Sequence, residues 1–103
     1  MNETTHFAST GQIHHHDMSV KAIFDMEVCD SNGETVGDVE DLLLSDEKKI
    51  NSLIVLVGST LGVGGKLVAI PFNNFNVNYL DSIINLGLTA DELEDEPEFE
   101  FKN

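Results

Sequence analysis

A run of five consecutive apolar residues, Leu53 to Val57, restricts the fold of this chain more than any other feature. The run is rich in β-branched residues and too short for an ordinary helix, so it predicts a strand. Successive strand side chains point to opposite faces, which puts Leu53, Val55 and Val57 on one face and Ile54 and Leu56 on the other. Both faces need cover. One can line the core of a small barrel, and the other is expected to meet a second part of the chain or a second molecule.

The run lies in a longer predicted strand, Ile50–Val57, and five further segments also predict strands. Their apolar content, their alternation and the turn residues between them are typical of β-structure. They are Val20–Val28, Thr35–Leu44, Leu67–Ile70, Phe75–Tyr79 and Ser82–Leu88. The alternation in the first segment predicts a core face made of Val20, Phe24, Met26 and Val28. Together the six segments predict an all-β fold.

The segment Thr35–Leu44 has an irregular pattern. Gly37 interrupts it, and Leu42, Leu43 and Leu44 are consecutive apolar residues. A bulge or barrel corner near Gly37 would let the two halves of the strand use the same core face.

The carboxyl-terminal part predicts a short helix followed by an acidic tail. Thr89 and Glu92 have the spacing of a capping box, with Leu93 as the first apolar position inside the helix. The helix is expected to end before Pro97. Phe99 and Phe101 interrupt the acidic tail and are expected to anchor it on the barrel or on a neighbouring molecule.

The glycine-rich segment between the third and fourth predicted strands, residues 58–65, does not match a nucleotide-binding loop. The phosphate-loop pattern requires glycine where Thr60 stands, and the dinucleotide pattern requires glycine where Leu67 stands. Leu61 and Val63 make this segment half apolar, so we interpret it as a tight crossing whose apolar side chains lie against the barrel. No cofactor is predicted.

The charge of the chain restricts its partners. There are 19 acidic residues against five lysines, giving a formal net charge of -14. Such a surface repels phosphate groups, which excludes nucleic acid and anionic membrane as favoured partners and suits a basic protein. The sequence contains neither a signal-peptide pattern nor a stretch of membrane-spanning length, so we expect a cytoplasmic protein without membrane insertion.

A metal site is the alternative that the sequence leaves open. His14, His15 and His16 are adjacent in an amino-terminal stretch, residues 1–19, that is expected to be a mobile arm. The carboxylates of Asp38 and Glu40, with Asp41 beside them, form a second group of candidate ligands. Adjacent residues of an extended chain point apart, so neither group makes a site without further ligands. A solvated arm and a solvated strand edge are the favoured interpretations, and no metal is predicted.

Several segments, taken in order, resemble the PRC-barrel domain family. They are Asp30–Leu44, Leu53–Gly58, Leu61–Phe72, Leu88–Leu93 and Pro97–Phe99. The chain departs from the family near Asp25, where a glycine is usual, and at Ser59 and Thr60, where a glycine and a bulky residue are usual. The resemblance implies a small six-stranded, mostly antiparallel β-barrel over residues 20–88, with a short helix and acidic tail over residues 89–103. It looks like a free-standing bacterial member. Its relatives include a cytoplasmic domain of the reaction-centre H subunit and a carboxy-terminal domain of a ribosome maturation factor.

The resemblance implies docking on macromolecules and supplies no catalytic residues. We therefore expect a non-catalytic interaction or assembly module that forms a homo-oligomer or binds a basic ribosomal or electron-transport protein. The two-faced strand and the apolar loop predict an interface. Its expected residues are Ile54, Leu56, Leu61, Val63 and Phe99. An enzyme is disfavoured, because the only cysteine, Cys29, has no base near it in the sequence. The alternative is a small-ligand or metal-binding protein using His14 to His16 or the strand carboxylates.

Overall fold

The computed structural model describes residues 18–58 and 65–102, which form six strands and two short helices. In chain order they are α1 (Val20–Phe24), β1 (Glu27–Cys29), β2 (Thr35–Leu44), β3 (Ile50–Val57), β4 (Lys66–Pro71), a 3-10 turn (Phe72–Asn74), β5 (Phe75–Asn78), β6 (Ile83–Leu86) and α2 (Ala90–Asp95). No helix in these two ranges is long and apolar enough to span a membrane.

The strands make one sheet in the order β4-β3-β2-β1-β6-β5, curved into a half-barrel. All neighbouring pairs are antiparallel except β1 and β6, which are parallel. The predicted fold, a small all-β barrel that is mostly antiparallel and carries a short carboxyl-terminal helix, is confirmed. Strands β4 and β5 are the two edges of the sheet, because each has a single strand neighbour.

The core lies on the concave side and receives side chains from every strand and both helices. Strand β3 contributes Leu53, Val55 and Val57, the predicted core face of the apolar run, and all three have no exposed surface. Ile23 of α1 and Leu93 of α2 belong to the same cluster, so each helix is held by one fully buried or almost fully buried apolar side chain.

The first strand is shorter than the sequence predicts, and its amino-terminal half is helical. Residues Val20–Phe24 form α1, and the strand begins only at Glu27. The Ser19 side chain accepts a hydrogen bond from the Ala22 backbone N–H, which caps the helix and overrides the strand preference of its residues. Consequently Val20 and Phe24, expected in the core, are exposed.

Strand β2 contains the bulge that the sequence predicts near Gly37, and a second bulge at Glu40 that it does not predict. The register with β3 shifts between Val39 and Asp41, so Glu40 is the extra residue and both Val39 and Leu42 face the core. The predicted shift lies opposite β1 at Val36, beside Gly37. A side chain at Gly37 would overlap the carbonyl oxygen of Leu56, so glycine is required there by close backbone approach.

The capping box at α2 is formed as predicted. Thr89 Oγ1 accepts from the Glu92 backbone N–H, and Glu92 Oε1 accepts from the Thr89 N–H. At the other end, Lys66 Nζ donates to the carbonyl oxygens of Leu93 and Glu94. A lysine ammonium at a helix carboxyl terminus satisfies carbonyl groups that lack intrahelical partners. Both ends of this short helix are therefore fixed.

Candidate protein-docking site

The predicted interface residues of β3 differ in how much surface they offer. Ile54 has no exposed surface and lies outside the main core cluster, on the opposite face of β3 from Leu53 and Val55. Leu56, on that same outer face, is half-buried. Ile54 can therefore contact a partner only if the cover over it moves. Leu61 and Val63 lie outside the described residues, and the interface made by this set stays a prediction.

Phe99 binds its own barrel. Its backbone N–H donates to the carbonyl oxygen of Leu67 at 2.8 Å, and its side chain is half-buried. The ring of Phe101 packs edge-on against that of Phe99, with 4.9 Å between centroids, and is itself 53% exposed. Of the two anchoring sites expected for the tail, the structure shows the one on the barrel.

An apolar groove lies at one end of the half-barrel, where α1, the β2–β3 hairpin and the 3-10 turn meet. It encloses about 190 Å³. Its lining consists of Met18, Ile23, Leu42, Ile50, Phe72, Phe75, Asn76 and Val77. We call this feature the mouth groove. One polar side chain, Asn76, and no charged side chain lines it, so it offers a neutral and mostly apolar surface.

Local backbone features position the residues of the mouth groove. The bulge at Glu40 directs Leu42 inwards. Pro71 ends β4 and begins the 3-10 turn, which presents Phe72 at the rim with 53% of its surface exposed. The ring of Phe72 meets that of Phe75 edge-on at 6.1 Å. Because the aromatic pair is fixed by the turn, the groove is formed without a partner.

The opposite rim is fixed by a contact between α1 and the β5–β6 turn. The Tyr79 hydroxyl donates to the Ser19 carbonyl oxygen at 3.2 Å and accepts from the Ser19 backbone N–H. This contact holds Met18, which is 45% exposed, at the edge of the groove. A methionine and a phenylalanine at the rim of an apolar groove are typical of protein-docking surfaces, which are enriched in both residue types.

Sequence reasoning missed the mouth groove. It left Phe72 out of the predicted interface and placed Met18 in the amino-terminal arm. The available signal was the break in strand pattern at Pro71 followed by two asparagines, Asn73 and Asn74, which is typical of a surface turn. Because surface turns lie in solvent, an aromatic residue within such a turn, here Phe72, is expected to be exposed.

Two buried polar groups, the carboxylate of Asp30 and the thiol of Cys29, have structural partners. Asp30 is buried, and its carboxylate accepts backbone N–H bonds from Asn32 at 2.9 Å and Glu34 at 3.0 Å, which closes the turn between β1 and β2. The buried Cys29 thiol lies 4.0 Å from the Thr35 hydroxyl. A carboxylate that closes a turn and a thiol beside a hydroxyl do not form a nucleophile and base pair.

The bulge at Glu40 in β2 places two of the three strand carboxylates, Asp38 and Asp41, on the outer face of the sheet. Asp38 lies opposite Leu56 and Asp41 opposite Ile54, with the bulge residue Glu40 between them. In residues 18–58 and 65–102, no group of three or more His, Cys, Asp or Glu side chains could hold a metal ion. The histidine candidates, His14, His15 and His16, fall outside the described residues.

Comparison with protein families gives one match. The family model of the PRC-barrel domain matches residues 15–92, about three-quarters of the chain. The matched range contains all six strands and every residue that lines the mouth groove, and it ends inside α2. A comparison with curated proteins gives no match.

Proposed function

We propose that this chain, which belongs to the PRC-barrel domain family, is a non-catalytic module that docks on a protein partner through the mouth groove. The supporting observation is an apolar groove that is already formed and whose rim residues, Met18 and Phe72, keep about half of their surface exposed. Exposed large apolar side chains around a concavity mark binding surfaces more often than solitary exposed residues do.

The size of the groove favours one inserted side chain over a small-molecule ligand. At about 190 Å³ it is smaller than the roughly 300–1,000 Å³ of ordinary small-molecule sites. A single leucine, methionine or phenylalanine side chain of a partner would fill it. Buried anchors of this kind carry most of the binding energy of protein interfaces, while the surrounding contacts exclude water.

Charge favours a basic partner over a second copy of this chain. Two molecules that each carry a formal charge of -14 repel each other, and this repulsion slows encounter and opposes association. A partner with an apolar anchor flanked by lysine or arginine is attracted instead. Self-association through Ile54 and Leu56 has weaker support, because Ile54 has no exposed surface.

The test is capture of partners from native lysate by matched variants. The protein is attached to the matrix through Leu80→Cys, since Leu80 is 98% exposed on the β5–β6 turn and Cys29 is buried. Phe72→Ser removes the rim aromatic residue. Phe101→Ser is its control, because Phe101 is also a phenylalanine with 53% exposure but lies in the tail.

We expect the unsubstituted protein and Phe101→Ser to capture the same proteins and Phe72→Ser to lose them, with all three giving the same circular dichroism spectrum. Light scattering of the free protein reports its own association state. Capture that is equal for both serine variants would contradict docking through the mouth groove.

A further inference from the structure

A second surface, at the outer edge of β4, has the geometry of a strand-binding cleft. The edge strand β4 pairs with β3 on one side only. On its other side the carboxyl-terminal tail meets it at one backbone bond, from the Phe99 N–H to the Leu67 carbonyl oxygen. Next to that bond, a cleft of about 420 Å³ separates the tail from Ala69. We call it the edge cleft.

The backbone of Ala69 points into this cleft. Because the Leu67 carbonyl points away from β3, and N–H and C=O directions alternate along a strand, both backbone groups of Ala69 also point away from β3. Pro71 has the same parity and has no N–H to donate, which fits an edge that faces outwards. Within residues 18–58 and 65–102, neither backbone group of Ala69 makes a backbone hydrogen bond outside the strand ladder.

The walls of the edge cleft are acidic. Three glutamates of the tail, Glu96, Glu98 and Glu100, line it against one lysine, Lys102. An extended segment that bonds to Ala69 would therefore place its side chains among carboxylates. Lysine or arginine side chains suit that position, and acidic ones do not.

We propose that the edge cleft binds an extended, basic segment of a protein partner, which adds to β4 as a short seventh strand. The main-chain groups of Ala69 supply the hydrogen bonds, and the glutamates of the tail select the charge, as in other cases where a peptide extends a sheet. A second copy of this chain is the disfavoured occupant, because its formal charge of -14 meets the same acidic wall. The site is separate from the mouth groove and does not depend on it.

The probe is the peptide acetyl-Lys-Val-Lys-Val-Lys-amide, titrated into the isotope-labelled protein at low ionic strength. We expect the amide resonance of Ala69 to move and binding to weaken as salt is added. The same peptide with alternate backbone nitrogens methylated keeps its charge but cannot form a strand ladder. It should bind at least about tenfold more weakly, since each loss of about 1.4 kcal/mol changes affinity tenfold.

Ala69→Pro removes the N–H that faces the cleft and, because that group does not bond to β3, leaves the sheet intact. We expect this variant to weaken peptide binding by at least about tenfold. If the variant does not fold, Glu98→Gln combined with Glu100→Gln serves instead. Both residues are exposed, so the fold is retained, and the expected result is weaker binding with a smaller dependence on salt.

Three results would overturn the proposal. The first is equal binding of the methylated and unmethylated peptides, which would mean charge attraction without strand addition. The second is dimerisation of the free protein that Ala69→Pro abolishes, which would make a second copy the occupant. The third is loss of peptide binding in Phe72→Ser, which would place the peptide in the mouth groove. If lysate capture shows no role for the mouth groove, the result of this peptide titration is unaffected. The two proposals are therefore tested separately.

Discussion

Lys66, the first residue of β4, donates a hydrogen bond of 2.7 Å from its Nζ to the carbonyl oxygen of Glu94, near the end of α2. A second bond from the same ammonium reaches the Leu93 carbonyl at 3.2 Å. Lys66 and Glu94 are 28 positions apart in the sequence. Their contact joins the edge of the sheet to the helix that precedes the tail. It fixes the point at which the tail begins its path along β4.

Replacing Lys66 should therefore destabilise α2 and release the tail. We expect Lys66→Met to lower the free energy of unfolding by about 1–2 kcal/mol, because a charge-assisted bond to helix carbonyls is lost while the apolar stem is kept. Urea denaturation measures the change. Lys49→Met is the control. Among the described residues Lys49 forms one ion pair, with Glu47, which is 4.0 Å long and highly exposed, so its loss should hardly change the free energy of unfolding. Equal effects of both variants would contradict this role for Lys66.

Alanine substitutions at Gly37 and Gly58 should differ in their effect on stability. A methyl group at Gly37 would overlap the Leu56 carbonyl oxygen and come within 3.2 Å of the Val57 Cα, and backbone cannot move aside as a side chain can. Gly37→Ala should cost about 3 kcal/mol. No atom of the described residues lies within 4 Å of a methyl group at Gly58, so Gly58→Ala should be neutral. Thermal melts measure both variants. A neutral Gly37→Ala would mean that β2 and β3 are not in such close contact.

The two outer-face residues of β3 should respond differently to a charge. Ile54→Asp buries a carboxylate at a position with no exposed surface, opposite the carboxylate of Asp41, and should cost about 4 kcal/mol or more. Leu56→Asp also faces a carboxylate, that of Asp38, but its position is half-buried, so it should cost only about 2 kcal/mol. Circular dichroism should show unfolding for the first variant and a folded protein for the second. A folded Ile54→Asp variant that becomes monomeric from a dimer would instead support the predicted oligomer interface.

Salt should stabilise this protein at low concentration. With a formal charge of -14, self-repulsion opposes the compact state, and added ions screen it. We expect the melting temperature to rise from about 0.01 M to about 0.15 M sodium chloride, over which the Debye length falls from about 30 Å to about 8 Å. Further salt above about 0.15 M should raise the melting temperature less, because most of the screening is already present. A melting temperature that is constant there would show that repulsion contributes little.

The elements that the sequence predicted well are those fixed by local pattern. Strands β2 and β3 have the predicted bounds, Thr35–Leu44 and Ile50–Val57, because turn residues delimit them. The capping box at Thr89 depends on residues three apart and formed as expected. A bulge near Gly37 was predicted from the shift in apolar parity and lies at Val36. The bulge at Glu40 is set by cross-strand pairing that no single segment reveals.

The features that the sequence did not predict depend on distant contacts. Helix α1 has residues that favour a strand, and its form follows from the Ser19 cap and from the burial of Ile23 in the shared core. The exposure of Phe72 depends on β4 and β5 remaining the two edges of an incompletely closed sheet. The complete burial of Ile54 could not be predicted either. Strand parity identifies the face on which a side chain lies, but not what packs on that face.

Met18 lines the mouth groove, and Lys102 lines the edge cleft. A polypeptide joined directly to Met18 or to Lys102 by genetic engineering would start beside one of these surfaces and compete with the partner that binds there. Reporters and purification tags are therefore better inserted at Glu47, which is exposed at the tip of the β2–β3 hairpin and lines neither surface.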